Sequence, residues 1–143
     1  MTEKRPGPKV FTLEEANRLL PMVRGVLQSL RSRQHEMRRI EETKAVEELS
    51  WLQPDGTVSP RAREQVARLD ELLRQATEAF EEALERLNAT GAQLKDLDEG
   101  LVDFFAERGE QIVYLCWKDG EEQIRFWHDL ESGFPGREPV EGL

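Results

Sequence analysis

Two long stretches of the chain carry apolar side chains at an alternating spacing of three and four residues. The first stretch begins at Leu13, and the second runs from Ala62 to Leu87. This spacing gathers the apolar side chains into one stripe on each helix, as in a coiled coil. With the turn signal Q-P-D-G at residues 53–56, the pattern predicts a long antiparallel helical hairpin over residues 11–91.

Local signals mark where these helices begin and end. Thr12 and Glu15 form the T-x-x-E pattern of a capping box at the start of the first helix. Ser59 and Pro60 supply an N-cap and a proline for the first turn of the second helix. Gly91 is a residue type that commonly follows a helix end. The two helices are therefore predicted to start near residues 13 and 60.

Pro21 lies inside the first helical stretch. Proline has no backbone N–H and its ring clashes with the preceding turn, so a kink or a break with a restart is expected there. The apolar pattern weakens past Ile40, but the helix is predicted to continue towards Leu49.

The predicted hairpin is long compared with the rest of the chain. A helix of about 36 residues would measure about 54 Å, and the remaining residues are too few to cover such a length. Part of the apolar stripe is therefore expected to be covered by a second copy or by a protein partner. A homodimer is the expected form.

From Leu94 onward the apolar positions alternate with polar ones. Segments 101–106, 111–117 and 123–130 are rich in Val, Ile, Phe, Tyr and Trp and are predicted as strands, with 94–97 as a possible fourth. The dipeptides R-G at 108–109 and D-G at 119–120 are predicted to form two-residue hairpin turns.

The elements together predict an α+β fold in one domain spanning residues 1–143. The helical hairpin (11–91) is followed by a three- to four-stranded antiparallel β-meander (92–131). The tail (132–143) contains two prolines and three glycines and is predicted to be irregular.

Two-residue turns also predict which residues pair across the sheet. They would pair Phe104 with Val113, Val113 with Phe126, and Leu115 with Ile124. One face of the sheet would then be apolar and would pack on the helices. A change of one residue in turn length would exchange the two faces of a strand.

The opposite face is predicted to be of mixed character. Asp103, Tyr114 and Arg125 would lie in one cross-strand row and could form a charge-assisted, hydrogen-bonded ladder. Phe105 and Trp127 beside them would make this face too apolar to be left bare. The tail, a second copy or a ligand is expected to cover it.

Composition and charge exclude several classes of protein. The chain has 143 residues, of which 38% are hydrophobic and 34% charged, with a net charge of −9 and a pI near 4.9. The acidic balance argues against a nucleic-acid partner, and the longest apolar run, 112–117, is far too short for a membrane span. The N-terminus has no apolar segment typical of a signal peptide. A cytoplasmic location is expected.

Basic residues are concentrated in the first part of the chain. Residues 1–40 contain nine basic and four acidic residues, and the rest contains 11 basic and 25 acidic residues. The simpler interpretation is that the basic helix pairs with acidic neighbours. An anionic ligand at the Arg-rich segment, which contains Arg31, Arg33, Arg38 and Arg39, is the alternative.

Candidate chemistry centres on a single histidine, since the familiar catalytic motifs are absent. His128 stands near the end of the last strand, and Asp96, Asp98 and Asp103 lie upstream of it. One imidazole with two or three carboxylates suits a divalent metal or acid–base catalysis. The alternative is a structural histidine bonded to one carboxylate.

The other residues of this kind are interpreted as structural. His35 is expected on a solvated helix face. Cys116, the single cysteine, permits no internal disulfide or cysteine-based zinc cluster and is expected to be a buried, unreactive thiol.

The C-terminal half contains the motifs K-D-x-x-x-G-L-V-D-F, L-C-W, G-E, W-H and G-F-x-G-R. Their residues are Lys95, Asp96, Gly100, Leu101, Val102, Asp103, Phe104, Leu115, Cys116, Trp117, Gly120, Glu121, Trp127, His128, Gly133, Phe134, Gly136 and Arg137. With the opening segment FTLEEANRLLPMVR, they make the chain similar to the bacterial family catalogued as domain of unknown function 2203. The resemblance covers residues 11–140 and implies no particular reaction, because that family has no established activity.

The resemblance does draw attention to a polar set in the sheet and tail. Asp103, Glu121, Trp127, His128 and Arg137 match the family pattern residue by residue. A polar set of this kind is more typical of a site than of packing alone. Arg137 is expected to fold back towards Asp103 or Trp127 and to complete a pocket.

Two hypotheses about function follow. The first is a non-enzymatic homodimeric interaction or scaffold module, in keeping with the uncovered apolar stripe and the missing catalytic motifs. The second is a small ligand- or metal-binding protein, or an enzyme, with its site on the sheet and tail. His128 would be the acid–base or metal group and Asp103 its orienting carboxylate. Asp96 and Asp98 are further metal candidates. The candidate binding residues are Tyr114, Glu121, Arg125, Trp127 and Arg137. No cofactor is specified, and whether the protein is an enzyme stays open.

Overall fold

The computed structural model describes residues 8–143. The chain divides into two compact units. One comprises the chain up to Gln28 together with Leu84–Leu143, and the other comprises Ser29–Ala83. Residues 1–7, on which most of the signal-peptide argument rests, lie outside the described residues.

The two predicted helices form with the expected boundaries. Helix α1 spans Leu13–Leu49 and helix α2 spans Pro60–Ala89. The capping box is present, because Thr12 N donates to Glu15 Oε1 at 3.0 Å and Glu15 N donates to Thr12 Oγ1 at 3.1 Å. At the start of α2 the Ser59 hydroxyl accepts the Ala62 N–H at 3.3 Å. The bonds made by Thr12, Glu15 and Ser59 satisfy backbone donors that a helix start leaves unpaired.

Pro21 does not break the first helix. Helix α1 is continuous through it, so the break and restart considered from the sequence is wrong. The Pro21 ring is exposed, while Leu20 and Val23 on either side of it are buried in the core. Burial of these neighbours offsets the one hydrogen bond that proline removes.

Within the unit Ser29–Ala83, the two helices form the predicted hairpin. Leu52 and Val58 make an antiparallel bridge beside the turn, and Lys44 Nζ of α1 lies 2.7 Å from Asp70 Oδ1 of α2. The apolar side chains buried in this unit are Leu30, Ala62, Val66, Ala76 and Ala83.

The first unit contains an antiparallel sheet of five strands in sequence order. The strands are β1 (Gln93–Asp96), β2 (Leu101–Arg108), β3 (Gln111–Lys118), β4 (Phe126–His128) and β5 (Glu138–Pro139). The predicted α+β class is confirmed. The sheet has five strands where three or four were predicted, because the tail supplies β5. Short 3-10 helices lie at Phe134–Gly136 and Val140–Gly142.

The hairpin between β2 and β3 has a different register from the predicted one. Phe104 pairs with Leu115 instead of Val113, and Arg108 pairs with Gln111, so the loop is Gly109–Glu110. Gly109 has φ +59, and a positive φ at the first loop position is the geometry of a type II′ turn, which favours glycine there. The observed register differs from the predicted one by two residues. Because the side chains of a strand alternate with a period of two, the faces of β2 and β3 are as predicted.

The register between β3 and β4 differs more from the predicted one. Cys116 pairs with Phe126, Leu115 with Trp127, and Tyr114 with His128, so the predicted partners Val113–Phe126 and Leu115–Ile124 are wrong. Gly120 has φ +103, and Glu121 N donates to Lys118 O at 3.0 Å.

A positive φ at the second central position is typical of a type II turn, which splays the strands that flank it. The chain therefore leaves the sheet after Lys118 and returns only at Phe126. In between, the Ile124 N–H donates to the side-chain oxygen of Asn17 at 2.8 Å, and Ile124 is buried.

This shift of three residues exchanges the two faces of β4. Trp127 shares the core face with Val102, Phe104 and Leu115, all buried, and Phe104 packs edge-on against Phe11 with ring centroids 5.3 Å apart. The predicted row of Asp103, Tyr114 and Arg125 does not form, because Arg125 precedes β4 and is exposed.

His128 instead lies on the same face as Asp103, Tyr114 and Cys116. Within residues 8–143 neither α1 nor α2 contains an apolar stretch that could cross a membrane.

Candidate functional site

Three neighbouring strands bring three buried polar or ionisable side chains together on one face of the sheet. Asp103 of β2 and Cys116 of β3 are direct cross-strand partners. His128, the last residue of β4, pairs with Tyr114, which lies two residues before Cys116 on β3. The relative exposures of Asp103, Cys116 and His128 are 4%, 1% and 3%. Buried ionisable groups need partners, so their mutual contacts decide what the site can do.

His128 is held by a contact at each ring nitrogen. Nδ1 lies 2.7 Å from the carbonyl oxygen of Asp129, and a carbonyl only accepts, so Nδ1 carries a proton. Nε2 lies 3.3 Å from Oδ1 and 3.2 Å from Oδ2 of Asp103. A lone pair on Nε2 facing an ionised carboxylate would be repulsive. A proton or another cation must therefore lie between His128 Nε2 and the Asp103 carboxylate.

The environment shifts the pKa values of the other two groups. Burial raises the pKa of Asp103 above its usual value, although the nearby His128 opposes this shift. Burial also raises the pKa of the Cys116 thiol, to about 12, with the Asp103 carboxylate adding to the effect. Without a bound cation, the thiol is protonated and unreactive at neutral pH, as the sequence analysis expected.

The three potential ligand atoms also lie close to one another. In the described part of the chain, the potential ligand atoms of Asp103, Cys116 and His128 all lie within 4.8 Å of one another. Two ligands about 2.0 Å from a tetrahedral ion lie about 3.3 Å apart, close to the distances between Nε2 and the Asp103 oxygens. The same distances are long for an ionic N–H···O hydrogen bond, which is usually about 2.7–2.9 Å.

The second nitrogen of His128 supports the same interpretation. A histidine that binds a metal usually donates its other N–H to a carboxylate or a backbone carbonyl, which fixes the ring. The Nδ1 contact to Asp129 O is of this kind. The Asp129 carboxylate, in turn, accepts the N–H groups of Ser132 and Glu131, which lower its pKa. The turn after β4 thus holds His128 in position.

A cavity of about 210 Å³ opens directly onto this cluster. Besides Asp103, Cys116 and His128, its walls are formed by Lys95, Leu101, Tyr114, Leu130, Glu131, Gly133 and Phe134. A metal ion here could polarise a bound carbonyl or activate a water molecule. With a shared proton, the Asp103–His128 pair could act as an acid–base group.

Tyr114 and Lys95 form one side of the pocket. The Tyr114 ring stacks on Phe105 with centroids 4.9 Å apart and lies 5.4 Å from the His128 ring. The Lys95 ammonium lies 4.6 Å from the Tyr114 ring centroid and donates to its hydroxyl at 3.3 Å. Gln93 accepts from both groups, from Lys95 at 3.1 Å and from Tyr114 at 3.2 Å.

Arg137 and Glu121 form an ion pair next to Cys116. Nη2 of Arg137 lies 2.7 and 2.9 Å from the Glu121 carboxylate oxygens and donates to the backbone oxygen of Cys116 at 3.2 Å. The guanidinium is stacked between Phe126 and Phe134, 4.1 and 4.7 Å from their centroids. Arg137 thus contacts Glu121 and the backbone of Cys116, the cross-strand partner of Asp103, and ties the tail to β3.

The remaining predicted residues lie elsewhere. Trp127 is on the core face, with the Arg108 guanidinium 4.7 Å from its ring centroid. The exposed Arg125 accepts the Val140 N–H through its backbone oxygen at 2.9 Å. Asp96 caps the turn after β1 by accepting the Glu99 N–H at 3.0 Å. Asp96 and Asp98 are both exposed and are not part of the cluster around His128.

Sequence reasoning did not assign Cys116 or Lys95 to the candidate site. Cys116 was taken only as a buried thiol, because its approach to Asp103 depends on the register of β2 and β3. Lys95 was noted only within a motif, although the alternation of β1 with β2 could have placed it on the face of Asp103.

The geometry describes an α+β protein with a helical hairpin, an antiparallel sheet and a candidate metal or acid–base site. The chain belongs to the family described as uncharacterized conserved protein (DUF2203), whose model matches residues 9–140. No curated protein and no solved structure matches the chain.

Proposed function

We propose that this protein binds one divalent transition-metal ion through Asp103, Cys116 and His128, and that the ion binds a small molecule in the adjoining pocket. The position of His128 Nε2 against both oxygens of Asp103, at 3.3 and 3.2 Å, is the observation that carries the proposal. A cation between these groups removes their repulsion. The Cys116 thiol already hydrogen-bonds to the Asp103 carboxylate, and a metal ion would bind its sulfur directly.

The ligand set favours zinc. Thiolate, imidazole and carboxylate are all common zinc ligands, and together they are too soft for magnesium or calcium. Ionised Asp103 and Cys116 would balance the two positive charges of the ion inside a buried site. Three protein ligands leave one position of a tetrahedral ion open, as in catalytic zinc sites. The cavity beside the cluster supplies room for that fourth ligand.

Cobalt substitution tests the proposal directly. Untagged protein is stripped with a chelator and titrated with Co²⁺, and bound metal is also measured by elemental analysis after loading with Zn²⁺. One ion per chain is expected, with thiolate-to-cobalt charge-transfer absorption in the near ultraviolet. Cys116→Ala is expected to remove this absorption, and His128→Ala to weaken metal binding by at least tenfold.

His35→Ala is the matched control, because His35 is the chain's only other histidine and lies exposed on α1. This variant should bind metal like the wild type. Circular dichroism establishes that each variant is folded. Absence of stoichiometric metal from the wild type, or unchanged metal binding in folded Cys116→Ala and His128→Ala, would overturn the proposal.

The helical hairpin supports a second candidate function, that of a homodimeric interaction or scaffold module. Val46, Leu49 and Leu52 are 65%, 85% and 68% exposed near its turn, and large exposed apolar side chains at one place are typical of an interaction surface. The cytoplasmic location and the absence of a nucleic-acid partner remain predictions from composition and charge.

Light scattering tests the dimer. A dimeric mass is expected at micromolar concentration, and Leu49→Glu should shift it towards the monomer without loss of helix content, because this side chain is already exposed. Lys44→Met, in the same hairpin but paired with Asp70, serves as the charge-altering control. A wild-type monomer across the concentration range would contradict this second function.

A further inference from the structure

The pocket beside the cluster has one cationic side and one apolar side. Lys95 and Tyr114 lie on the first side, and Leu101, Leu130 and Phe134 lie on the second. The cluster of Asp103, Cys116 and His128 also lines this cavity. This distribution of charge and apolar surface constrains the ligand that the pocket could take.

Lys95 is held in place although its side chain is exposed. The Tyr114 hydroxyl at 3.3 Å and the Gln93 side-chain oxygen at 3.1 Å both accept from its ammonium group, which also lies over the Tyr114 ring at 4.6 Å. Both of these hydrogen-bond partners are neutral, although the charge of Lys95 also acts on the nearby Asp103 carboxylate. The fixed ammonium is therefore suited to bind the negative charge of a ligand.

The apolar side of the pocket is open to solvent. Leu130 and Phe134 are large apolar residues with 51% and 37% of their surface exposed, and both line the cavity with Leu101. A ligand with a short hydrocarbon part would remove this surface from water, which favours binding. Glu131, which also lines the cavity, disfavours ligands with more than one negative charge.

The size of the cavity sets a further limit. Its volume of about 210 Å³ lies below the range of about 300–1,000 Å³ that is usual for pockets that hold drug-sized ligands. The occupant must be small.

We infer that the pocket binds a small monocarboxylate with a short apolar chain, its carboxylate placed between Lys95 and the metal position and its chain against Leu130 and Phe134. The inference rests on the proposed metal site for one of the two carboxylate contacts. Lys95 and the apolar side provide the other contacts independently of the metal.

Calorimetric titration of the zinc-loaded protein with butyrate tests this inference. Butyramide has nearly the same shape without the charge, and inorganic phosphate has charge without an apolar chain. Butyrate is expected to bind at least tenfold more tightly than either. Lys95→Met is expected to weaken butyrate binding by about tenfold to a hundredfold, the range for a lost hydrogen bond to a charged group.

Lys44→Met is the matched control, because Lys44 lies in the hairpin unit and pairs with Asp70. It should leave butyrate affinity unchanged. Equal binding of butyrate and butyramide, or butyrate binding that survives Lys95→Met, overturns the inference. Tighter binding of phosphate than of butyrate overturns the inference that the ligand has an apolar chain.

The same titration separates this inference from the proposed function. A protein that binds zinc but not butyrate retains the metal site and loses the carboxylate ligand. A protein that binds no zinc, but binds butyrate in a manner that depends on Lys95, loses the metal site and retains the anion site. Measurement of zinc content before each titration distinguishes the two results.

Discussion

Nε2 of His128 lies 3.2 Å from Oδ2 of Asp103, although 25 residues separate them in the chain. The other ring nitrogen of His128 is already bonded to a backbone carbonyl at 2.7 Å. Both side chains are buried, so water does not screen their interaction. The stability of this pair should therefore respond to any cation that binds between them.

Zinc is expected to stabilise the protein against unfolding. A ligand that binds only the folded state at one hundred times its Kd adds about 2.7 kcal/mol to the free energy of unfolding. Urea unfolding with zinc and with a chelator measures the difference. The gain should disappear in Cys116→Ala and persist in His35→Ala, and an equal gain in both variants would place zinc elsewhere.

Asp103→Asn should separate metal binding from folding. Burial raises the pKa of Asp103, which means that the fold disfavours its charged form. In the metal-free protein at neutral pH, the variant is expected to be at least as stable as the wild type, with a gain of up to about 2 kcal/mol. Its zinc-dependent stabilisation should be lost. Strong destabilisation without metal would instead show that the carboxylate has a structural role.

Gly91→Ala should destabilise the protein. Gly91 follows α2 with φ +94, and an added Cβ would lie 2.7 Å from the Cβ of Lys9. The backbone conformation alone disfavours alanine by about 1–2 kcal/mol. Gly25→Ala is the matched control. Gly25 is inside α1 with nothing within 4 Å of an added Cβ, so alanine should raise stability by about 1 kcal/mol. Thermal unfolding of both variants checks the opposite signs.

Thr12→Ala should weaken the start of α1. The Thr12 hydroxyl accepts the Glu15 N–H at 3.1 Å, and loss of an N-cap of this kind lowers stability by about 1 kcal/mol. Thr43→Ala provides the comparison. The Thr43 hydroxyl donates to the Arg39 carbonyl inside the same helix, a contact that adds little. Stability should change by less than about 0.5 kcal/mol there, and equal losses in the two variants would contradict the capping role.

Glu15 should make part of the stability depend on acid pH. The Thr12 N–H and hydroxyl lower the pKa of Glu15 below its ordinary value of 4.5. A lowered pKa in the folded state means that the contribution is present above pH 4.5 and is lost as the pH falls through the folded pKa. The stability of the wild type relative to Glu15→Gln should therefore decrease under acid conditions. Denaturant unfolding from pH 7 to pH 3 measures this, and a constant difference would contradict it.

Much of the fold follows from local sequence signals. The spacing of apolar residues and the cap at Thr12 predicted both long helices, and alternation predicted β2 and β3 within one or two residues of their ends. These features depend on neighbours within a few positions, which is why a sequence contains them. The tail strand β5 was missed because two residues carry no detectable period.

The last hairpin shows where local reasoning fails. A D-G pair at Asp119–Gly120 is typical of a two-residue hairpin loop, but here the φ of +103 at Gly120 goes with a turn that directs the chain out of the sheet. Contacts far away in sequence then hold the segment, such as the bond from Ile124 N–H to Asn17. Pattern alone could not anticipate these contacts.

The sequence by itself determined the helical hairpin, the antiparallel sheet and the acidic net charge, and it predicted Asp103 and His128 as candidate site residues. Only the tertiary structure decided that they meet, and that Cys116 and Lys95 join them. The physical reason is the two-residue period of a strand. An odd shift in register moves every side chain to the other face, and the register of β4 depends on turn geometry and on long-range packing.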